Sequence, residues 1–84
     1  MTHQDLWGAI DTMAAANKMS CSAMAIRGGL CSTTFNKSKR VTRDGKERWM
    51  SMQSVVKVLE SMGQNMSYFA EFVDAISAEN QKSA

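Results

Sequence analysis

The sequence predicts an all-α fold, a five-helix bundle whose second and third helices form a helix-turn-helix. Three observations lead there. Proline is absent and glycine occurs only five times in 84 residues, so little interrupts helix formation. Apolar residues recur at intervals of three and four rather than in the alternation of strands. Residues 20–38 read Ser-Cys-Ser-Ala-Met-Ala-Ile-Arg-Gly-Gly-Leu-Cys-Ser-Thr-Thr-Phe-Asn-Lys-Ser, which places a small residue, a glycine and an aromatic where two steeply crossing helices need them. A chain of this length forms one small domain with a modest core. The predicted boundaries are a domain at residues 1–76 and a polar, flexible tail at 77–84.

The first helix is expected over residues 3–17. Thr2 serves as N-cap and Asp5 complements the dipole in the first turn. Leu6, Ile10, Met13 and Ala14 form the buried stripe, Trp7 sits beside it as a core or rim anchor, and Asn17-Lys18 stops the helix. Ser20 caps a short second helix, residues 21–28, that buries Met24 and Ala25. Gly28-Gly29 ends it, and a helical Gly28 costs up to about 1 kcal/mol relative to alanine. With Cys21 as position one, Ala25, Gly29 and Phe35 fall at positions five, nine and fifteen. Ala25 lets the backbones approach, Gly29 accepts positive φ in the turn, and Phe35 points back into the core.

Phe35 belongs to the expected third helix, residues 32–39. Its opposite face carries Thr33, Asn36, Lys37 and Arg40 at i, i+3, i+4 and i+7. Each is a hydrogen-bond donor and two are cationic, which suits a groove lined by base edges and phosphates. From spacing alone, the solvated face of an ordinary αα-hairpin is an equal reading. The net charge is +2, yet Lys37, Lys39, Arg40, Arg43, Lys46 and Arg48 place six of the ten cationic residues in one short window. That is the footprint of a phosphate-binding surface.

Residues 41–50 lack helical periodicity and carry Asp44-Gly45 as a turn signal, so they form a loop or a short β-like excursion. Long ordered loops are commonly functional. Trp49 is expected to tether this one to the core, with base stacking as the alternative. Ser51 caps a fourth helix, residues 52–62, with Met52, Val55, Val56, Leu59 and Met62 inward and Gly63 closing it. Asn65 caps a fifth, residues 66–76, with Met66, Phe69, Phe72, Val73 and Ile76 as its apolar face. The eight methionines read as adaptable core filler.

No apolar run reaches the length of about 18 residues needed for a membrane span, and no signal peptide opens the chain. A cytoplasmic location is expected, with Cys21 and Cys31 as thiols and a redox-sensing pair as the alternative. His3 is the only histidine, so no four-ligand zinc set exists. There is no paired-carboxylate, nucleophile–base or metal constellation. The expectation is a non-enzyme without cofactor, metal or small-molecule ligand.

The chain also resembles a known family. Leu6-Trp7-Gly8-Ala9-Ile10-Asp11, Gly29-Leu30, the run Thr33-Thr34-Phe35-Asn36-Lys37-Ser38-Lys39-Arg40-Val41-Thr42, then Asp44-Gly45, Arg48-Trp49 and Lys57-Val58-Leu59-Glu60 carry the resemblance. They look like the lambda-repressor-like domain of XRE-type regulators common in alphaproteobacteria and their prophages. There the domain is usually followed by a LexA-like self-cleaving peptidase domain. The likeness spans residues 6–76.

The resemblance implies a bacterial, sequence-specific transcriptional regulator, a phage-type repressor that docks its third helix in the major groove of double-stranded DNA. A homodimer would bind a near-palindromic operator, with half-sites about 34–36 Å apart. Carried over by position, Ser32, Thr33, Asn36 and Lys37 read bases, while Ser22, Lys39, Arg40, Arg43, Lys46 and Arg48 grip phosphate. Tyr68 and Phe72 on the fifth helix are the expected dimer contacts, with core packing as their alternative. Cys21 stands where relatives often have a phosphate-contacting glutamine, and Cys31 where the subgroup tends to have an aspartate cap. Ile26 replaces a usually polar residue and reads as a contact with another chain. The peptidase domain is missing from these 84 residues, as in a stand-alone short repressor or an excised domain. A reading of another class is a protein-interaction module, an antirepressor or adaptor on the same scaffold.

Overall fold

Each helix begins where the sequence supplies a cap. The Thr2 hydroxyl accepts from the backbone N–H of Asp5 at 3.1 Å, and the Asp5 carboxylate accepts from that of Thr2 at 3.0 Å. This reciprocal box opens α1 (His3–Ala16). The Ser20 hydroxyl caps α2 (Cys21–Arg27), the Ser51 hydroxyl caps α3 (Met52–Ser61), and the Asn65 side chain accepts from the N–H of Tyr68 at the start of α4 (Met66–Lys82). The computed structural model describes residues 2–82, with side chains through residue 79. Among the described residues the chain is all-helical, with four α-helices, a 3-10 turn at Lys37–Lys39 and no strand.

The first three helices end alike. The N–H groups of Met19, Leu30 and Gln64 reach back to the carbonyls of Ala14, Ala25 and Leu59 at 3.0, 2.9 and 2.9 Å. These are Schellman closures. Their left-handed positions are Lys18, Gly29 and Gly63, with φ of +58°, +78° and +70°.

The core draws on every helix: Trp7, Ala9, Ile10, Met13 and Ala14 from α1, Met24 and Ala25 from α2, Val55, Val58 and Leu59 from α3, and Phe69 and Val73 from α4. Phe35 joins them from the segment between α2 and α3, 1 % exposed. Ala25 and Phe35 are thus both core residues.

Three expectations need correction. First, residues 32–39 are not an α-helix. Residues 32–35 form turns with i to i+3 bonds from Thr34 N–H to Cys31 C=O and from Asn36 N–H to Thr33 C=O. Asn36 is then extended at φ −63°, ψ 148°, ahead of the 3-10 turn. The cause is local competition. The Thr34 hydroxyl donates to the Cys31 carbonyl at 2.7 Å, and two adjacent threonines with an asparagine two residues on favour turns over helix. The bundle thus has four α-helices where five are expected, and the stripe of Thr33, Asn36, Lys37 and Arg40 is not one helical face.

Second, Trp49 is 53 % exposed and does not bury into the core; its ring meets that of His3 edge-on at 5.6 Å. Third, α4 continues to Lys82, beyond residue 76 where the sequence predicts a tail; residues 83–84 lie outside the described residues. Within α3, Met52 is exposed and Val58 is fully buried.

Candidate nucleic-acid interface

Beside its core face, α1 carries His3, Trp7 and Asp11 at i, i+4 and i+8, a polar stripe that faces the segment from Phe35 to Trp49. At one end Asp11 holds Arg40 by two parallel bonds, Nη1 to Oδ2 at 2.9 Å and Nη2 to Oδ1 at 2.6 Å. Nη2 also donates to the Phe35 carbonyl at 3.0 Å, and the guanidinium lies 4.7 Å from the centroid of the Trp7 ring. Forked pairing and ring stacking are what arginine, rather than lysine, provides. The Arg40 hydrogen bond holds the Asp11 carboxyl below its usual range, and the same bond raises the arginine further.

At the other end, His3 Nε2 lies 2.9 Å from the Arg40 carbonyl and 2.8 Å from the Arg48 carbonyl. Two facing carbonyls require a donor, so Nε2 carries the proton. The indole N–H of Trp7, 3.0 Å from both His3 Nε2 and the Arg48 carbonyl, then donates to the carbonyl. His3 Nδ1 faces the Glu47 carboxylate at 3.5 Å.

Between these anchors the chain folds into a tongue. The Arg48 N–H donates to the Arg40 carbonyl at 2.9 Å, Val41 and Glu47 form an antiparallel bridge, and the Thr42 N–H donates to the Lys46 carbonyl at 2.8 Å. Gly45, at φ +82°, turns the tip. This is the β-like alternative of the sequence reading, and Asp44-Gly45 is its turn.

The sequence-predicted residues separate on this frame. Lys37, Lys39, Arg43, Lys46 and Arg48 are exposed, as are Ser32 and Thr33. Thr33 and Lys39 share the lining of a cavity of about 370 Å³ with Arg48, Trp49 and Ser51. Asn36 is half-buried. Arg40 is the correction: with only 13 % of its side chain exposed and its fork on Asp11, it braces the loop and is not free to grip phosphate. Ser22 is half-buried in the first turn of α2. Its neighbour Cys21 donates to Asp11 Oδ1 at 3.2 Å, so a carboxylate already lies against that turn.

Tyr68 and Phe72, the expected dimer contacts, are half-buried against the core and meet edge-on at 5.1 Å. The Tyr68 hydroxyl accepts from the Asn17 side chain at 3.0 Å. Core packing, their alternative, describes them. Ile26 is 60 % exposed.

Both cysteines are free thiols. Burial, then the hydrogen bond to Asp11, pushes the Cys21 thiol up, whereas the Thr33 hydroxyl beside exposed Cys31 draws that thiol down. Among the described residues no cluster of three or more potential metal ligands occurs, and no helix is long and apolar enough to cross a membrane.

The sequence reading misses His3 and Asp11 as anchors. The signal was present in their spacing around Trp7, but a polar stripe announces itself only when its partners are known, and these lie 29 to 45 residues away. Comparison with protein-family models, curated proteins and solved structures yields no match.

Proposed function

We propose that the chain is a sequence-specific DNA-binding transcriptional regulator of the lambda-repressor-like kind. Residues 21–39 act as a helix-turn-helix whose second half is a run of turns, and two copies bind a near-palindromic operator. The observation that carries this reading is the cationic tongue. Arg43, Lys46 and Arg48 are exposed on the segment that α1 fixes at both ends, and Lys37 and Lys39 are exposed just before it. A preorganised set of cations loses little freedom on meeting phosphate. Further support comes from Ala25 and Phe35, both buried, and from Gly29, at φ +78°, environments that the motif asks of those positions.

In this reading Ser32, Thr33 and Lys37 meet base edges and the tongue grips the backbone. Asn36, half-buried, contributes to the shape of the reading segment. Selection of duplexes from a random pool tests it, followed by salt titration on the enriched sequence. Enrichment of paired half-sites is the expected result. Lys37→Ala should then lower preference for the site by about 1–3 kcal/mol. Arg43→Ala or Lys46→Ala should weaken all sequences alike and reduce the salt slope by about one. Binding that is indifferent to sequence in every pool would overturn the proposal.

The exposed apolar side chains of Ile26 and Met52 favour a second reading, a protein-interaction module. Ile26→Ser distinguishes the two: it should leave a DNA reader's site preference intact and abolish partner binding by an adaptor.

A further inference from the structure

Eight per cent exposed, His3 has more polar partners than its place in the first turn of a surface helix requires. Nε2 serves the carbonyls of Arg40 and Arg48, the two residues at which the tongue leaves and rejoins the body. The backbone also closes the neck, since the Arg48 N–H donates to the Arg40 carbonyl. The ring is walled by Trp7 and Trp49, whose centroids lie 6.3 and 5.6 Å away. Its remaining nitrogen faces Glu47, on the tongue itself.

We infer that His3 is a positioning residue for DNA binding, a clamp that closes the neck of the basic tongue and tightens when the imidazole gains a proton. The inference rests on the DNA-binding reading above. The neutral ring, with its hydrogen on Nε2, holds both carbonyls but presents a bare lone pair to the Glu47 carboxylate. Protonation adds a donor at Nδ1 and turns that contact into an ion pair. Glu47, bridged to Val41, is then fixed as well, and Arg43, Lys46 and Arg48 are held at one spacing.

The other charged groups around the ring leave this logic intact. The Arg40 guanidinium is turned away onto Asp11 and Trp7, and the Arg48 residue meets the ring through its carbonyl. Asp5, on the same helix, is tied to Thr2. Lys37, with Asp11 and Arg40, lines the cavity that His3 borders.

The test compares wild type, His3→Gln and His3→Ala. Glutamine keeps an N–H for the neck carbonyls and cannot titrate. For wild type, affinity for the enriched duplex should rise about two- to fivefold from pH 8 to pH 5.5, the size of an exposed ion pair, beyond any rise seen with His3→Gln. His3→Gln should retain the wild-type salt slope at pH 8. His3→Ala should bind more weakly and with a shallower slope, as a phosphate contact is lost. A role confined to fold stability predicts otherwise: a lower melting temperature for His3→Ala with unchanged affinity and slope well below it. That result, or identical pH profiles for wild type and His3→Gln, overturns the inference.

Hydrogen exchange of the Thr42 and Arg48 amides without DNA separates the two proposals. Faster exchange in His3→Ala, and slower exchange at low pH in wild type than in His3→Gln, support the clamp even if no duplex is selected. Equal protection in all three proteins overturns the clamp whatever the DNA result.

Discussion

Replacing Gly28 by alanine should destabilise the protein, although the sequence alone argues the reverse. Gly28 follows α2 at φ −81°, ψ 3°, a conformation that alanine adopts freely. Reduced freedom of the unfolded chain should favour alanine by about 0.4–1 kcal/mol. Packing opposes this. A Cβ at Gly28 would lie 3.0 Å from Val58 Cγ2, 3.1 Å from its Cα and 3.2 Å from its N. Carbon atoms in favourable contact sit about 3.5–4.0 Å apart, so α2 and α3 must separate by about half an ångström. Two of the three atoms are backbone, and the Val58 side chain is fully buried, so no flexible end can move aside.

Overpacking of this kind costs about 1–3 kcal/mol. The net loss is on the order of 1 kcal/mol, which lowers the melting temperature by about 4–8 °C for a domain of this size. Gly8→Ala is the matched control. The three atoms nearest its Cβ all belong to the Ile76 side chain, the first at 3.3 Å, and mid-helix alanine gains about 1 kcal/mol over glycine. Thermal melts followed by far-ultraviolet circular dichroism should place Gly8→Ala at or above wild type and Gly28→Ala below it. A Gly28→Ala protein that melts at or above wild type refutes the argument from close approach.

Two further predictions concern ionisable groups. Because Arg40 lowers the Asp11 carboxyl in the folded state, the pair stabilises above the ordinary carboxylate value, and that contribution is lost as pH falls through the lowered one. Asp11→Asn should therefore melt lower than wild type at neutral pH and approach it in strong acid; a gap that stays constant across an acid titration contradicts the pairing. Cys31, exposed and drawn down by Thr33, should be alkylated by iodoacetamide well before Cys21, which burial and Asp11 hold up. Mass spectrometry of Cys31→Ser should show the fast phase gone, and modification of Cys21 first would count against the assigned environments.

What was legible in the sequence was local. Thr2, Ser20, Ser51 and Asn65 each announce a helix because a cap needs only its own side chain and the next three residues. Gly29 and Gly63 announce the ends because positive φ is a property of single residues. The periodicity of residues 32–39 matches a helix, whereas Thr34 and Asn36 choose turns and Arg40 is drawn to Asp11. Arg40 itself looked like a phosphate ligand, since sequence counts a cation but not its partner. Propensity alone favours alanine at position 28, and the contact of Gly28 with Val58, 30 positions on, reverses the sign.

The stripe on α1 also bears on how the chain reaches this state. The Asp11–Arg40 and His3–Arg48 contacts close loops spanning 29 and 45 positions, whereas the caps and Schellman closures join near neighbours. Short-range contacts form quickly, and long closures carry an entropic cost that grows with their span. The tongue thus docks on α1 after the local caps have formed, on a span comparable with the packing of α1 on α4, whose Asn17–Tyr68 contact covers 51 positions. Changes at His3 or Asp11 should accordingly be read in both the refolding and the opening rate.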